Sequence, residues 1–135
     1  MPLPMLGRKT VENVRDQLIS ILKEMESKDP EIEGSVLIRA DGLVLASALP
    51  ADIDRDLVAA MSASALNVST RVLEELRRGT LENVIIRGAM GVVMIISVAQ
   101  DIVLAAIGKK DANLGLMLVE MRRAAEKLKN VIEKI

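Results

Sequence analysis

The sequence predicts an α/β chain of the α+β type, ordered helix, two strands, long helix, three strands, helix, with antiparallel strands covered by helices on both faces. Three observations carry that expectation. Asp41-Gly42 lies between two β-rich runs, Gly34 to Ala40 and Leu43 to Ala48. Three more apolar runs, Leu81 to Arg87, Val92 to Val98 and Ile102 to Ile107, are joined by connections short enough for antiparallel hairpins. The segments before, between and after these runs repeat their apolar residues in steps of three and four, the spacing of one helix face.

Residues 1–9 read as a short tail, and the first helix is expected over residues 10–28, with Thr10 as N-cap and Asp29-Pro30 as its stop. Its apolar seam is Val11, Val14, Leu18, Ile21 and Met25. The alternative for this amphipathic segment is a membrane anchor, but Asp16, Glu24 and Glu26 dilute the cationic face that such anchors use. In the first hairpin, Asp41-Gly42 supplies the positive φ angles of a tight turn. Pro50 ends the second strand. Asp52 or Asp54 then caps the long helix, taken as residues 54–78, about 37 Å long, and stopped by Gly79.

That helix has more apolar surface than one sheet requires. One stripe holds Val58, Met61, Ala65, Val68 and Val72; a second holds Leu57, Leu66, Leu73 and Leu76. The second stripe needs another surface, which is either the chain's own first or last helix or a subunit interface. Most of its charges gather in the last two turns, at Arg71, Glu74, Glu75, Arg77 and Arg78. In the three-stranded stretch, Val92-Val93-Met94-Ile95-Ile96 is apolar on both faces, so helices are expected above and below it. Asp111 or Asn113 is placed to cap the last helix. There Leu114, Met117, Met121, Ala124, Leu128, Val131 and Ile135 form a seam better read as packing on the sheet and first helix than as a coiled coil.

Composition limits the chemistry. A chain of 135 residues has room for one hydrophobic core, so residues 1–135 are expected to be a single domain. It contains no Phe, Trp, Tyr, His or Cys, and its core must be built from aliphatic side chains, Ala and eight Met. Without His or Cys there is no zinc finger, no thiolate nucleophile and no Ser-His-Asp triad. Without aromatics there is no platform for unpaired bases, and a net charge of -1 gives no general attraction for phosphate backbones, so nucleic acid is not an expected partner. The absence of disulfides fits a cytoplasmic, reducing location. No apolar run approaches the roughly 20 residues of a membrane span, and no charged leader precedes one, so no integral membrane segment is expected.

No stretch matches the phosphate-binding pattern GxxxxGK[ST]; Gly108-Lys109 is followed by Lys110 and lacks the earlier Gly. The carboxylate pairs Asp54/Asp56, Glu74/Glu75 and Glu31/Glu33 lie at helix ends or in loops, where solvated charge is the ordinary reading. No catalytic, cofactor-binding or metal-ligating residue is therefore assigned, and neither a cofactor nor enzyme activity is expected.

The element order and three local sequences resemble the roadblock/LC7 family. The carrying segments are Gly34 to Ala48 (GSVLIRADGLVLASA), the helix opening Leu57-Val58-Ala59-Ala60-Met61-Ser62-Ala63, and Ala112 to Arg122, which contains the NLGL start of the family's closing helix. The resemblance covers roughly residues 10–132. It implies a five-stranded antiparallel sheet of order 2-1-5-4-3, with the long helix on one face and the terminal helices on the other. It also implies a homodimer in which the strand Leu81 to Arg87 pairs with its copy into a ten-stranded sheet while the long helices pack side by side. The expected interface is then Val58, Met61, Ala65, Val68 and Val72 with Val84, Ile85 and Ile86. This agrees with the two residue-level readings: an uncovered apolar edge strand, and a long helix with surface to spare.

Function implied by the resemblance is regulatory: a non-catalytic homodimer that binds a small Ras-like GTPase and modulates its nucleotide state or location. The expected partner surface is the exposed side of the paired long helices, represented by Asn67, Thr70, Arg71 and Glu74. The alternative is an adaptor, similar to the dynein light chains of the family, that holds a peptide or filament component. An enzyme working with carboxylates and Lys alone is a third class.

Overall fold

A computed structural model describes the backbone of residues 3–134 and the side chains of residues 13–134. The elements are α1 (Leu3–Lys28), β1 (Ile32–Arg39), β2 (Val44–Ala48), α2 (Arg55–Glu75), β3 (Asn83–Gly88), β4 (Gly91–Ala99), β5 (Ile102–Lys109) and α3 (Leu114–Glu133). The strands form one antiparallel sheet in the order β2-β1-β5-β4-β3, as the sequence resemblance implies.

Three local expectations are corrected. The first helix begins at Leu3, so Thr10 lies inside it and does not cap it, and the tail expected over residues 1–9 is helical from Leu3. Pro4 permits this because the first helical nitrogens have no intrahelical acceptor, and Met5, Leu6, Arg8 and Lys9 are good helix formers. Met1, Pro2 and Ile135 lie outside the described residues, as does the side chain of Val11.

The second correction concerns α2, which is capped by Asp54 rather than Asp52: the Asp54 carboxylate accepts from the backbone N–H groups of Asp56 and Leu57. The helix ends at Glu75, short of Gly79. Arg77 takes a left-handed conformation (φ 53°), the Arg77 N–H donates to Glu74 O and the Arg78 N–H donates to Leu73 O. These are the two bonds of a Schellman stop, with Arg77 where glycine is usual. Gly79 (φ 94°) turns the chain two residues later. The helix is thus about 32 Å long.

Thirdly, only Gly42 takes a positive φ (96°) in the first hairpin. The connection is four residues long, Ala40 to Leu43, and the β1–β2 register shifts between Leu37 and Ile38. Asp41 is held by Arg39 through two charge-assisted bonds, Nε to Oδ1 at 2.9 Å and Nη2 to Oδ2 at 2.6 Å. These bonds lower the Asp41 carboxyl to about 2.

The run Val92 to Ile96 is covered on both faces, as its composition requires. Met94 and Ile96 enter a core with Leu18, Leu22 and Met25 of α1 and Met117, Met121 and Leu128 of α3. Ile95, between them, points to the other face and packs with Val36, Ile38, Val103, Ala105 and the α2 residues Ala59 and Leu66. α3 starts at Asn113, whose Oδ1 accepts from the Leu116 N–H at 3.1 Å, which settles the choice between Asp111 and Asn113.

Candidate interaction surface

The sheet face of α2 is made mostly of small residues, with Leu66 the exception. Ala59, Ser62, Ala63 and Leu66 are buried, so the helix lies close to the strands and most of its larger apolar side chains point elsewhere. Leu57, Met61, Val68, Val72 and the C-cap Leu76 are exposed, Met61 by 64% and Val68 by 63%. At about 100° per residue, Leu57, Met61, Val68 and Val72 fall within an arc of about 60°. They form one continuous outward stripe.

This arrangement sorts the expected interface residues. Met61, Val68 and Val72 are on the outward stripe, whereas Val58 and Ala65 are half-buried and pack at the edge of the sheet core. Leu57 and Leu76 belong with the outward group, not with Leu66, which faces the sheet. Angular position at 3.6 residues per turn was the signal for Leu57. Grouping by residue type obscured it.

On β3, Val84 lies opposite Ile95 and Ile86 opposite Val93, so both face the α2 side; Ile85 lies opposite Met94 and faces the α1 and α3 side. Val84 is half-buried, while Ile85 and Ile86 are 44% and 48% exposed. β3 pairs with β4 on one side, and its outer edge has no partner among the described residues. Two uncovered apolar features therefore coexist: the outward stripe of α2 and the last strand of the sheet. Patches of this kind on a surface mark interaction sites or aggregation hazards.

The four expected partner-surface residues do not act as one group. Asn67, Thr70 and Glu74 line a groove of about 670 Å³ between the C-terminal half of α2 and the β4–β5 turn, with Leu66, Leu73 and Val103 among its apolar lining. Arg71 is only about 40° from Asn67 around the helix but is not part of that lining; with Val68, Val72, Glu75 and Leu76 it borders a shallow depression of about 450 Å³. Among the described residues, no group of three or more carboxylates gathers where a metal ion could be held, and no helix is long and apolar enough to cross a membrane.

The fold has a counterpart in sequence: the Roadblock/LC7 domain family model matches residues 21–108. The chain belongs to the Roadblock/LC7 family. Among sequence relatives, one uncharacterized protein of Methanocaldococcus jannaschii is 39% identical over 103 residues, covering 76% of this chain and 90% of the relative. A second from the same organism is 34% identical over 116 residues, covering 86% and 97%. Among solved structures, Myxococcus xanthus MglB superposes with a TM-score of 0.80 at 19% identity, covering 88% of this chain and 90% of MglB. A structure described as MglB with tetrameric arrangement gives 0.82 at 20% identity, covering 90% and 91%. At these identities the MglB likeness is one of Roadblock/LC7 fold.

Proposed function

We propose that two copies of this Roadblock/LC7 chain associate through α2 and β3, and that the homodimer regulates or scaffolds a small Ras-like GTPase without catalytic chemistry of its own. The observation that carries the proposal is the outward stripe Leu57, Met61, Val68 and Val72 on a helix whose sheet face is already filled by mostly small residues. In this reading Val58 and Ala65 border the helix contact, and Val84, Ile85 and Ile86 lie in the strand that continues the sheet to ten strands. Burying the α2 stripe removes several large apolar side chains from water, at about 1.5 to 3 kcal/mol each when burial is complete. Structural likeness to MglB and the family membership support a regulator over an enzyme. On this reading the chain acts in the cytoplasm, beside its GTPase.

The groove lined by Asn67, Thr70 and Glu74 favours a second reading, an adaptor that holds a peptide segment, because it offers polar hydrogen-bonding groups over an apolar lining. Affinity capture distinguishes them. The purified chain is expected to retain a small Ras-like GTPase from its native lysate when loaded with GDP or a GTP analogue. Retention of none under either condition, with capture of another protein that competes for the α2 surface, would favour the adaptor.

A further inference from the structure

The turn between β3 and β4, at the end of the sheet opposite the β1–β2 and β4–β5 hairpins, combines an exposed apolar apex with a basic cleft. Its apex, Gly88-Ala89-Met90-Gly91, bears a single large side chain, Met90, which is 84% exposed and the most exposed large apolar residue among those described. Behind the apex is a cleft of about 180 Å³ lined by Arg87, Lys109 and Lys110, with Asp111 as its one acidic lining residue. Among the described residues, none of the three cations has an ion-pair partner. Glu31 adds a second carboxylate on the β1 side: its backbone oxygen accepts from the Lys109 N–H at 2.9 Å and its Oε1 from the Asn113 N–H at 3.2 Å.

We propose that this turn docks on an anionic lipid surface, with Met90 entering the headgroup boundary and Arg87, Lys109 and Lys110 set back among the lipid phosphates. An apolar tip ahead of a ring of cations is the order of chemistry met on entering such a surface, where basic side chains are attracted to anionic headgroups and apolar ones are withdrawn from water. Gly88, Ala89 and Gly91 carry no polar side chain that would resist entry. Gly91 also lets the strands meet closely at the base of the turn, since a Cβ there would lie 2.9 Å from Gly108 O. A free phosphate would satisfy the cations but leave Met90 unexplained. Its residues do not lie on α2, but Arg87 and Gly88 belong to β3, the strand proposed to pair with its copy, so the vesicle test is read beside the oligomeric state.

The test is co-sedimentation of the full chain with vesicles of phosphatidylcholine alone and of phosphatidylcholine mixed with phosphatidylglycerol. Binding is expected to the mixed vesicles at low salt and not to the neutral ones. The double variant Lys109→Gln/Lys110→Gln should weaken it by about tenfold or more. Met90→Ser should weaken it severalfold without changing its salt dependence. All three positions are exposed, and circular dichroism is used to verify that the variants retain the fold. Absence of sedimentation with the mixed vesicles, or sedimentation that both variants leave unchanged, overturns the proposal. So does saturation of the turn's amide signals by inorganic phosphate in a protein that ignores the vesicles, which would make the cleft a site for a soluble anion.

Discussion

Glu24 accepts a hydrogen bond from Lys127 Nζ at 2.7 Å across 103 positions of sequence, and the same Oε1 receives Lys28 Nζ at 3.0 Å. One carboxylate thus links the C-terminal half of α1 to α3 on the side of the sheet away from α2. The hydrogen bonds from Lys127 and then Lys28 hold the Glu24 carboxyl at about 2, well below the ordinary glutamate value.

Because that value is depressed in the folded chain, the stability it contributes is present above the ordinary value of about 4.5 and is lost as pH falls from there through about 2. Glu24→Gln should therefore have a lower melting temperature than the parent at neutral pH, with the difference closing as pH approaches 2. High salt should shrink the same difference, since the group is at the surface. Thermal melts across this pH range test the point, and a difference that does not change with pH would refute it.

Glu26, two residues on, is predicted to behave in the opposite sense. Burial raises its carboxyl, against the lowering effects of the Ser35 hydroxyl, which donates to Oε2 at 2.7 Å, and of Lys23. Folding then favours the protonated form, so the contribution is fully present below the unfolded value and is lost as pH rises through the folded one. Glu26→Gln keeps an acceptor for Ser35 and removes the charge. It should be more stable than the parent at neutral pH and equal to it below about pH 4, as judged by denaturant midpoints at both pH values.

Gly108→Ala should destabilise by about 1 to 3 kcal/mol. The added Cβ would stand 2.7 Å from Val92 Cγ1 and 2.9 Å from Met117 Sδ, both in buried residues of the α1/α3-side core. At Gly88 the nearest atom to an added Cβ is Gly91 O at 3.6 Å, so Gly88→Ala is the matched control and should shift stability by under about 0.5 kcal/mol. Equal effects at the two positions in urea titrations would count against the packing argument.

Val68→Glu and Ile86→Glu report on association. Both positions are exposed on the single chain, so a glutamate there leaves its core intact. In the proposed dimer it would be buried without a partner, which costs several kcal/mol. Light scattering should find the parent dimeric and each variant monomeric with an unchanged far-ultraviolet spectrum. An unchanged dimer in both variants would remove α2 and β3 from the interface.

Much of the architecture was legible in the chain because it depends on local chemistry. Helix starts were legible to within a pair of candidates, Asp52 or Asp54 and Asp111 or Asn113, and it is Asp54 and Asn113 whose side chains accept from the first turn. The doubly apolar run at Val92 to Ile96 required two covering layers and has them. Boundaries that depend on competing local solutions were less legible. Gly79 is the better residue for a helix stop, yet Arg77 assumes the left-handed conformation first. Pro4 looks like part of a tail, yet the start of a helix tolerates it.

The surface shows the same division. Residue spacing determined by itself that α2 has apolar side chains to spare, since no single face of a helix holds so many. Only the tertiary structure decided which of them are spare. Ala59, Ser62, Ala63 and Leu66 approach the strands, turning Leu57, Met61, Val68 and Val72 to solvent and leaving Val58 and Ala65 at the border. A helix's period relates its own residues to one another, but its rotation on the sheet is set by which face packs closest. That choice depends on strands distant in sequence.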